Sequence, residues 1–225
     1  MKNIKQLNID GRSILQRPAY DPNSLKGTLI LLHGYGADEY DLMGLANYFE
    51  ANLQIFSIRA PGVTPFGGAS WFDIDMFADG SLKFNYEQAI ESSRGVISLI
   101  KQMRTDGLIG DDRVIMGGFS QGATIASLVT LQAPELIQAL LIMSGRLQEQ
   151  AMTLLGDVSS LQDLPVFIGH GLVDQVIPVE FGRMVVKFWE SLPVDLEHHE
   201  YSMGHEINTE ELNHIQAWMN PIINA

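Results

Sequence analysis

No cysteine occurs among the 225 residues. That excludes disulfides, thiolate metal ligands and a cysteine nucleophile together. Basic charge is scarce too. Against 27 Asp and Glu stand 14 Lys and Arg, a formal net charge of −13. A nucleic-acid binder carries a basic patch that neutralises phosphates. Here the densest cationic pair is Lys101 and Arg104 on one helical stretch, so no nucleic acid is expected as a partner. The same scarcity excludes a polybasic membrane-surface helix. No apolar run approaches the ~18 residues that a membrane span requires, so no integral membrane contact is expected. Met1 to Gly11 has neither an apolar h-region nor a small-residue cleavage site, and the expectation is a cytoplasmic protein. Repeats and low-complexity tracts are also lacking. Charged residues make up only 18%, while 46% are hydrophobic, a balance that excludes a disordered chain and a coiled coil. What remains is a globular chain with ample core.

The core has a recognisable rhythm. Short apolar runs at 28–32, 53–58, 113–116, 139–143 and 165–168 are nearly continuous rather than alternating. Parallel strands buried on both faces read this way. A last run, 194–201, alternates and contains His198 and His199, as a strand near an edge would. Amphipathic segments lie between the runs. The stretch 83–104 places Ala89, Val96, Ile100 and Met103 on one helical stripe. A second, 178–192, begins with Pro178 at an expected first-turn position. A third follows Asn208 and Glu211, a capping-box-like pair. Ile9-Asp10-Gly11-Arg12 reads as a hairpin turn that adds antiparallel strands at one edge. Strand–helix alternation of this kind predicts an α/β fold: a mostly parallel central sheet flanked by helices. No linker divides the chain, so 1–225 is expected to form a single domain. The loop 61–81 and the polar connection 148–164 are long, and long loops in compact domains are often functional.

Gly118-Phe119-Ser120-Gln121-Gly122 matches G-x-S-x-G. It follows one apolar run and precedes a helix-compatible stretch. The chemistry needs a serine on a sharp strand-to-helix turn, projected out of the sheet. Small residues two before and two after let that turn close. The helix N-terminus then aims N–H groups and its positive dipole end at a developing oxyanion. A plain Gly-flanked serine in an ordinary turn is the competing reading, and the strand before and helix after weigh against it.

Serine is a weak nucleophile until a base takes its proton. His205, in Met203-Gly204-His205-Glu206, follows the last strand and so shares a sheet edge with Ser120. His170 is the rival base, its closeness to Asp174 suggesting a loop brace instead. His214, on the final helix, reads as a surface residue. The third member must hold the imidazole tautomer. Asp174 lies after a separate strand, whereas the competing acids Asp157, Asp163 and Glu180 lack strand-end placement. Taken alone, Asp174 reads as a turn residue or helix cap. Together the three occur in the order Ser…Asp…His of the α/β-hydrolases. An oxyanion hole would combine the Gln121 N–H with one from His33-Gly34-Tyr35-Gly36, for which the Tyr35 backbone is chosen. Metal hydrolysis fares poorly. No H-E-x-x-H occurs, and His198 and His199 alternate faces within a strand. Gly34-x-Gly36 lacks the third glycine of a dinucleotide fingerprint. A non-enzymatic ligand binder on a hydrolase-like fold remains the other class of reading, and three competent triad residues argue against it.

With these residues assembled, the chain resembles the carboxylesterase/phospholipase family of the α/β-hydrolases, which includes the acyl-protein thioesterases. The resemblance runs through Leu32-His33-Gly34-Tyr35-Gly36-Ala37-Asp38, Arg59-Ala60-Pro61 and Ser70-Trp71-Phe72-Asp73-Ile74. It continues through Gly118 to Ala123, His170 to Asp174 with Val176 and Pro178, and Gly204-His205-Glu206. It implies a serine carboxylesterase with the triad Ser120, Asp174 and His205, needing no metal and no organic cofactor. Its expected substrate is a small-molecule ester. Acyl-protein thioesters and lysophospholipids are the alternative substrates. It also implies that Trp71 and Phe72, with Val176 nearby, line a substrate groove. Phe66, Met76 and Phe77 would complete an apolar wall, or a dimer contact; by analogy a homodimer is one assembly open to the chain. Two regions depart from the family pattern. Pro65-Phe66-Gly67-Gly68-Ala69 replaces a longer, more apolar loop, and the first 20 residues have no clear counterpart. Both favour short to medium acyl esters. The connection from Ser144 to Pro165 is too short for a cap domain, so an open site is expected.

Overall fold

The computed structural model describes residues 4–65, 67–76, 82–110, 114–147 and 149–224. Its first four strands are β1 (Lys5–Ile9), β2 (Arg12–Arg17), β3 (Gly27–Leu32) and β4 (Leu53–Ile58). Two small hairpins follow: β5 (Gly62–Val63) with β6 (Ala69–Ser70), and β7 (Ile74–Met76) with β8 (Leu82–Phe84). The sheet then resumes with β9 (Val114–Phe119), β10 (Ile137–Met143), β11 (Leu164–Gly171) and β12 (Val194–Tyr201). Eight strands share the main sheet in the order β1-β2-β4-β3-β9-β10-β11-β12. From β4 to β12 every pairing is parallel. β2 alone runs against its neighbours. The turn joining β1 to β2 has both central residues left-handed, Asp10 at φ 51° and Gly11 at φ 76°. A two-residue hairpin turn that follows strand twist demands this, and Asp and Gly tolerate it.

The apolar runs alternate their side chains between two layers. Ile30, Leu32, Met116, Ile142 and Ile168 join one buried cluster; Leu29, Leu31, Ile115, Leu141 and Phe167 join the other. The first face is covered by α2 (Tyr86–Thr105), α3 (Gln121–Gln132) and α4 (Val179–Glu190), given α1 (Glu39–Met43) and later α5 (Thr209–Ile223) on the second. α3 is buried from Gln121 to Leu131, on all sides. A helix apolar all round belongs inside the protein, so the segment that starts at Ser120 rests on a rigid support. No described helix is long and apolar enough to cross a membrane.

Several boundaries differ from the sequence reading. α2 starts at Tyr86, because the Asn85 side chain accepts from Gln88 N and caps it; Lys83 belongs to β8. Pro178 is the N-cap of α4 rather than a first-turn residue. β11 runs on through His170 and Gly171, which were expected in the following loop. Arg113 lies outside the described residues, while β9 extends onward to Phe119. Half of the predicted capping box forms: Asn208 accepts from Glu211 N at 2.8 Å, but Glu211 turns its carboxyl inward.

This topology locates the site. From β3 the chain passes to β4 on one side, while β9 lies on the other side of β3. Ligands gather outside the carboxyl ends of strands at such a switch point. Between β10 and β11 only two 3₁₀ turns occur among the described residues, Glu149–Leu154 and Val158–Leu161. Among the described residues no cap domain covers the edge there.

Candidate active site

Ser120 joins β9 to α3 with φ 55° and ψ −116°. Such a conformation costs of order 1–3 kcal/mol for a residue with a side chain, so the neighbours must enforce it. They do so through backbone contact. A Cβ at Gly118 would run into Gly122 O, and a Cβ at Gly122 would run into Leu32 O. Ser120 N also donates to Met143 O at 2.9 Å. The two glycines of G-x-S-x-G are therefore steric requirements of the turn.

His205 stands beside the serine. Its Nε2 lies 2.9 Å from Ser120 Oγ, and its Nδ1 lies 2.7 Å from Asp174 Oδ2. With a carboxylate accepting from Nδ1–H, the neutral ring presents Nε2 as the acceptor for the serine proton. Asp174 is held just as firmly. Its Oδ1 accepts from Val176 N and Ile177 N, each at 2.8 Å. Those bonds fill the turn ahead of Pro178, so Asp174 braces the loop and orients the imidazole together. His170 also faces this carboxylate, 3.5 Å from Asp174 Oδ2. Its Nε2–H donates to Ile177 O at 2.8 Å instead. It is fully buried, against α4, where Gly182 leaves room for its ring. The structure brings Ser120 together with His205, not with His170.

The Gly34–Gly36 loop faces the same space. Its position is set from behind by His33, which is wholly buried. His33 Nδ1–H donates to Gly34 O at 2.7 Å, and its Nε2 accepts from Ala60 N at 3.1 Å. Burial pushes the His33 pKa down, keeping this neutral arrangement. Gly36 N donates to Ala69 O and Ala69 N to Ala37 O, tying the loop to β6. Tyr35 and Gln121 both border the cavity beside Ser120. Neither backbone N–H has an acceptor among the described residues; a first-turn N–H such as Gln121's has no partner within its helix. The Gln121 side chain, in contrast, is fully engaged. Its Oε1 accepts from Trp71 N at 2.7 Å and its Nε2 donates to Phe72 O at 2.6 Å.

Those bonds separate two residues that the sequence reading put side by side. Phe72 lines the cavity, as does Val176. Trp71 does not. Only 2% exposed, it lies behind the wall, with Nε1 donating to His33 O at 2.9 Å. Its tilted contact with the His33 ring, 5.6 Å between centroids, makes it a brace for the Gly34 loop. Phe66 and Phe77 lie outside the described residues, as does the Met76 side chain. The cavity, about 370 Å³, instead takes Ile74, Phe84, Phe119 and Ile177 as further apolar walls, with Asp41, Thr124 and Arg146 as polar ones. Phe119, the x of G-x-S, packs 4.8 Å from the His205 ring. The hairpin periodicity of 74–84 was the available signal for Ile74 and Phe84; Arg146 carried none. His214 also departs from expectation. It is half-buried, accepting or donating at 3.1 Å with Tyr201 OH and stacking 4.3 Å from His199.

A family model described as phospholipase/carboxylesterase matches residues 21–223. The chain belongs to the phospholipase/carboxylesterase family. As a member of that family it is a hydrolase with the α/β-hydrolase fold. Acyl-protein thioesterase 1 of Kluyveromyces lactis is 28% identical over 218 residues, covering 90% of this chain and 95% of the relative. Acyl-protein thioesterase 1 of Mycosarcoma maydis is 28% identical over an alignment that covers 100% of both chains. Among solved structures, the Bacillus cereus carboxylesterase superposes with a TM-score of 0.82 at 20% identity, over 95% of each chain. Zea mays acyl-protein thioesterase 2 superposes with a TM-score of 0.76 at 19% identity, over 93% of this chain and 98% of that one. At these identities the superpositions speak for the family's fold.

Proposed function

We propose that the chain is a single-domain serine esterase that hydrolyses short to medium acyl esters through an acyl-enzyme. One observation carries the reading: the serine–imidazole–carboxylate chain, at 2.9 and 2.7 Å, beside an apolar cavity. His205 takes the Ser120 proton as Oγ attacks the ester carbonyl carbon. The Tyr35 and Gln121 N–H groups stabilise the tetrahedral oxyanion. His205 gives its proton to the leaving oxygen, the C–O bond breaks, and the alcohol departs. Water then repeats the sequence on the acyl-enzyme and releases the acid. Asp174 holds the imidazole tautomer throughout. Phe72 and Val176 contact the substrate. One sheet that takes strands from Lys5 to Tyr201 supports a single catalytic unit over 1–225.

A cavity of about 370 Å³ is at the small end of the ~300–1,000 Å³ typical of ligand pockets, which favours short to medium acyl chains. The second reading is a thioesterase acting on acylated proteins, favoured by the names of the two fungal relatives. The same oxyanion chemistry serves both, with a thiol as the leaving group. The discriminating measurement is kcat/KM across 4-nitrophenyl esters from acetate to palmitate, beside octanoyl and palmitoyl thioesters. A maximum at four to eight carbons with esters ahead of thioesters is expected. A maximum at palmitoyl thioester would replace the esterase reading with the thioesterase one.

A further inference from the structure

The cavity is lined by a cation, Arg146, that no carboxylate pairs with among the described residues. Arg146 follows β10 at the carboxyl edge of the sheet and lines the same cavity as Ser120. Its backbone carbonyl accepts from Thr124 Oγ1 at 2.6 Å, one helical turn past Ser120 on α3. The guanidinium carbon lies over two rings, 4.4 Å from the Phe84 centroid and 4.2 Å from the Phe181 centroid. Among the described residues no carboxylate pairs with it; the arginines in salt bridges are Arg59 and Arg183. Burial without a compensating charge pushes its pKa down.

This arrangement does more than fill space. A half-buried arginine without a counter-ion costs free energy, and the two aromatic faces offset only part of it. The rings occupy the carbon centre of the group, and none of its N–H groups donates to an acceptor among the described residues. Those N–H groups form the fork that matches a carboxylate with two parallel hydrogen bonds. The molecule as a whole repels anions, with a net charge of −13. Asp41 also lines the cavity, so the attraction for an anion is local to the Arg146 guanidinium rather than a property of the whole cavity.

We propose that Arg146 is a specificity-determining residue that binds a carboxylate carried by the ester substrate, a few bonds from the scissile carbonyl. The inference rests on the esterase reading of Ser120 and names the substrate class of that site: half-esters and other monoanionic esters.

The test compares substrates that differ only in charge. Mono-4-nitrophenyl adipate is set against the 4-nitrophenyl ester of adipic monoamide for the acyl side. 4-Carboxyphenyl butyrate is set against 4-carbamoylphenyl butyrate for the alcohol side. In one of the two pairs the wild type is expected to favour the anionic ester by about ten-fold or more in kcat/KM, the size of a charge-assisted hydrogen bond. Arg146→Met brings that ratio to about one, and Arg146→Lys, which keeps the charge without the fork, recovers part of it. Ratios near one in both pairs for the wild type, or an unchanged ratio in Arg146→Met, would overturn the proposal. A binding measurement separates it from the esterase reading. Adipate is expected to raise the Tm of Ser120→Ala more than adipamide does, and to lose that advantage when Arg146→Met is added. If the esters are not turned over yet adipate still protects through Arg146, the esterase reading fails and the anion site stands. If neither occurs, both fail.

Discussion

Two carboxylates are buried against the same strand, and they could hardly differ more. Asp174 follows β11, and its oxygens meet two backbone N–H groups and two imidazoles within 3.5 Å. Glu211 lies in the first turn of α5 and presses on Gly169 of β11, where any Cβ would overlap its Oε1. Neither Glu211 oxygen has a hydrogen-bond partner among the described residues. Burial pushes its pKa up to about 8, so the folded protein holds it as a neutral acid near neutral pH. Burial alone therefore does not make a carboxyl group useful to catalysis. What distinguishes Asp174 is that its oxygens accept from two backbone N–H groups and from an imidazole whose other nitrogen reaches Ser120 Oγ.

The strongest way to break this comparison is to cut the chain that Asp174 serves. Ser120→Ala and His205→Ala are each expected to lower kcat on 4-nitrophenyl butyrate by about a million-fold, down to the assay floor. Turnover that persists in Ser120→Ala would assign the nucleophile elsewhere. Asp174→Asn should cost about ten-thousand-fold, because the amide favours the wrong imidazole tautomer. A loss under ten-fold would reduce Asp174 to a loop brace, the part its bonds to Val176 and Ile177 already play.

His170 sharpens the contrast within the Asp174 cluster. It shares the carboxylate with His205 but spends its Nε2–H on Ile177 O. His170→Ala should therefore lower stability by about 1–3 kcal/mol through a lost buried bond and a small cavity. Its kcat should fall by less than about ten-fold, on the scale set by the general-base losses above. Urea unfolding and steady-state kinetics on the same preparations separate the two effects. Equal kinetic damage in His170→Ala and His205→Ala would unseat His205 as the base.

Much of the Asp174 side of this comparison was legible in the amino-acid sequence. Continuous apolar runs predict buried parallel strands, and chemistry collects at their carboxyl ends. Ser120 and Asp174 each follow one such run and His205 follows the alternating run 194–201, so local pattern plus topology brings them to one edge. The positive φ of Ser120 was implicit in its flanking glycines. Glu211 was legible only as half a capping box. Its inward turn depends on Gly169 opposite, a contact 42 residues away that no local pattern encodes. Trp71 failed for a related reason. In Ser-Trp-Phe-Asp-Ile, two adjacent aromatics point opposite ways, and Gln121, 50 residues on, decides which one faces the cavity. The ring contacts of Arg146 likewise draw one ring from β8 and another from α4.

The prediction with the least effect on turnover concerns Glu211 itself. Below its ordinary pKa of 4.5 the group is protonated in both the folded and the unfolded chain, and burial as an acid carries no pH-dependent cost. As pH rises from there towards about 8, the unfolded chain releases the proton and the folded one keeps it. The raised pKa thus makes Glu211 a destabilising group that grows with pH across that window, by up to ~1.4 kcal/mol per unit. Glu211→Gln removes the titration while keeping the shape. It brings a buried amide whose donors lack partners, a cost of about 1–3 kcal/mol that does not vary with pH. The variant should therefore be the less stable protein at pH 5 and should gain steadily on the wild type up to pH 8, with kcat unchanged. The difference between the two urea midpoints, measured at each pH, cancels every titration the two chains share. If that difference stays flat from pH 5 to 8, Glu211 is ionised within the fold, and the contrast with Asp174 is one of position rather than of charge.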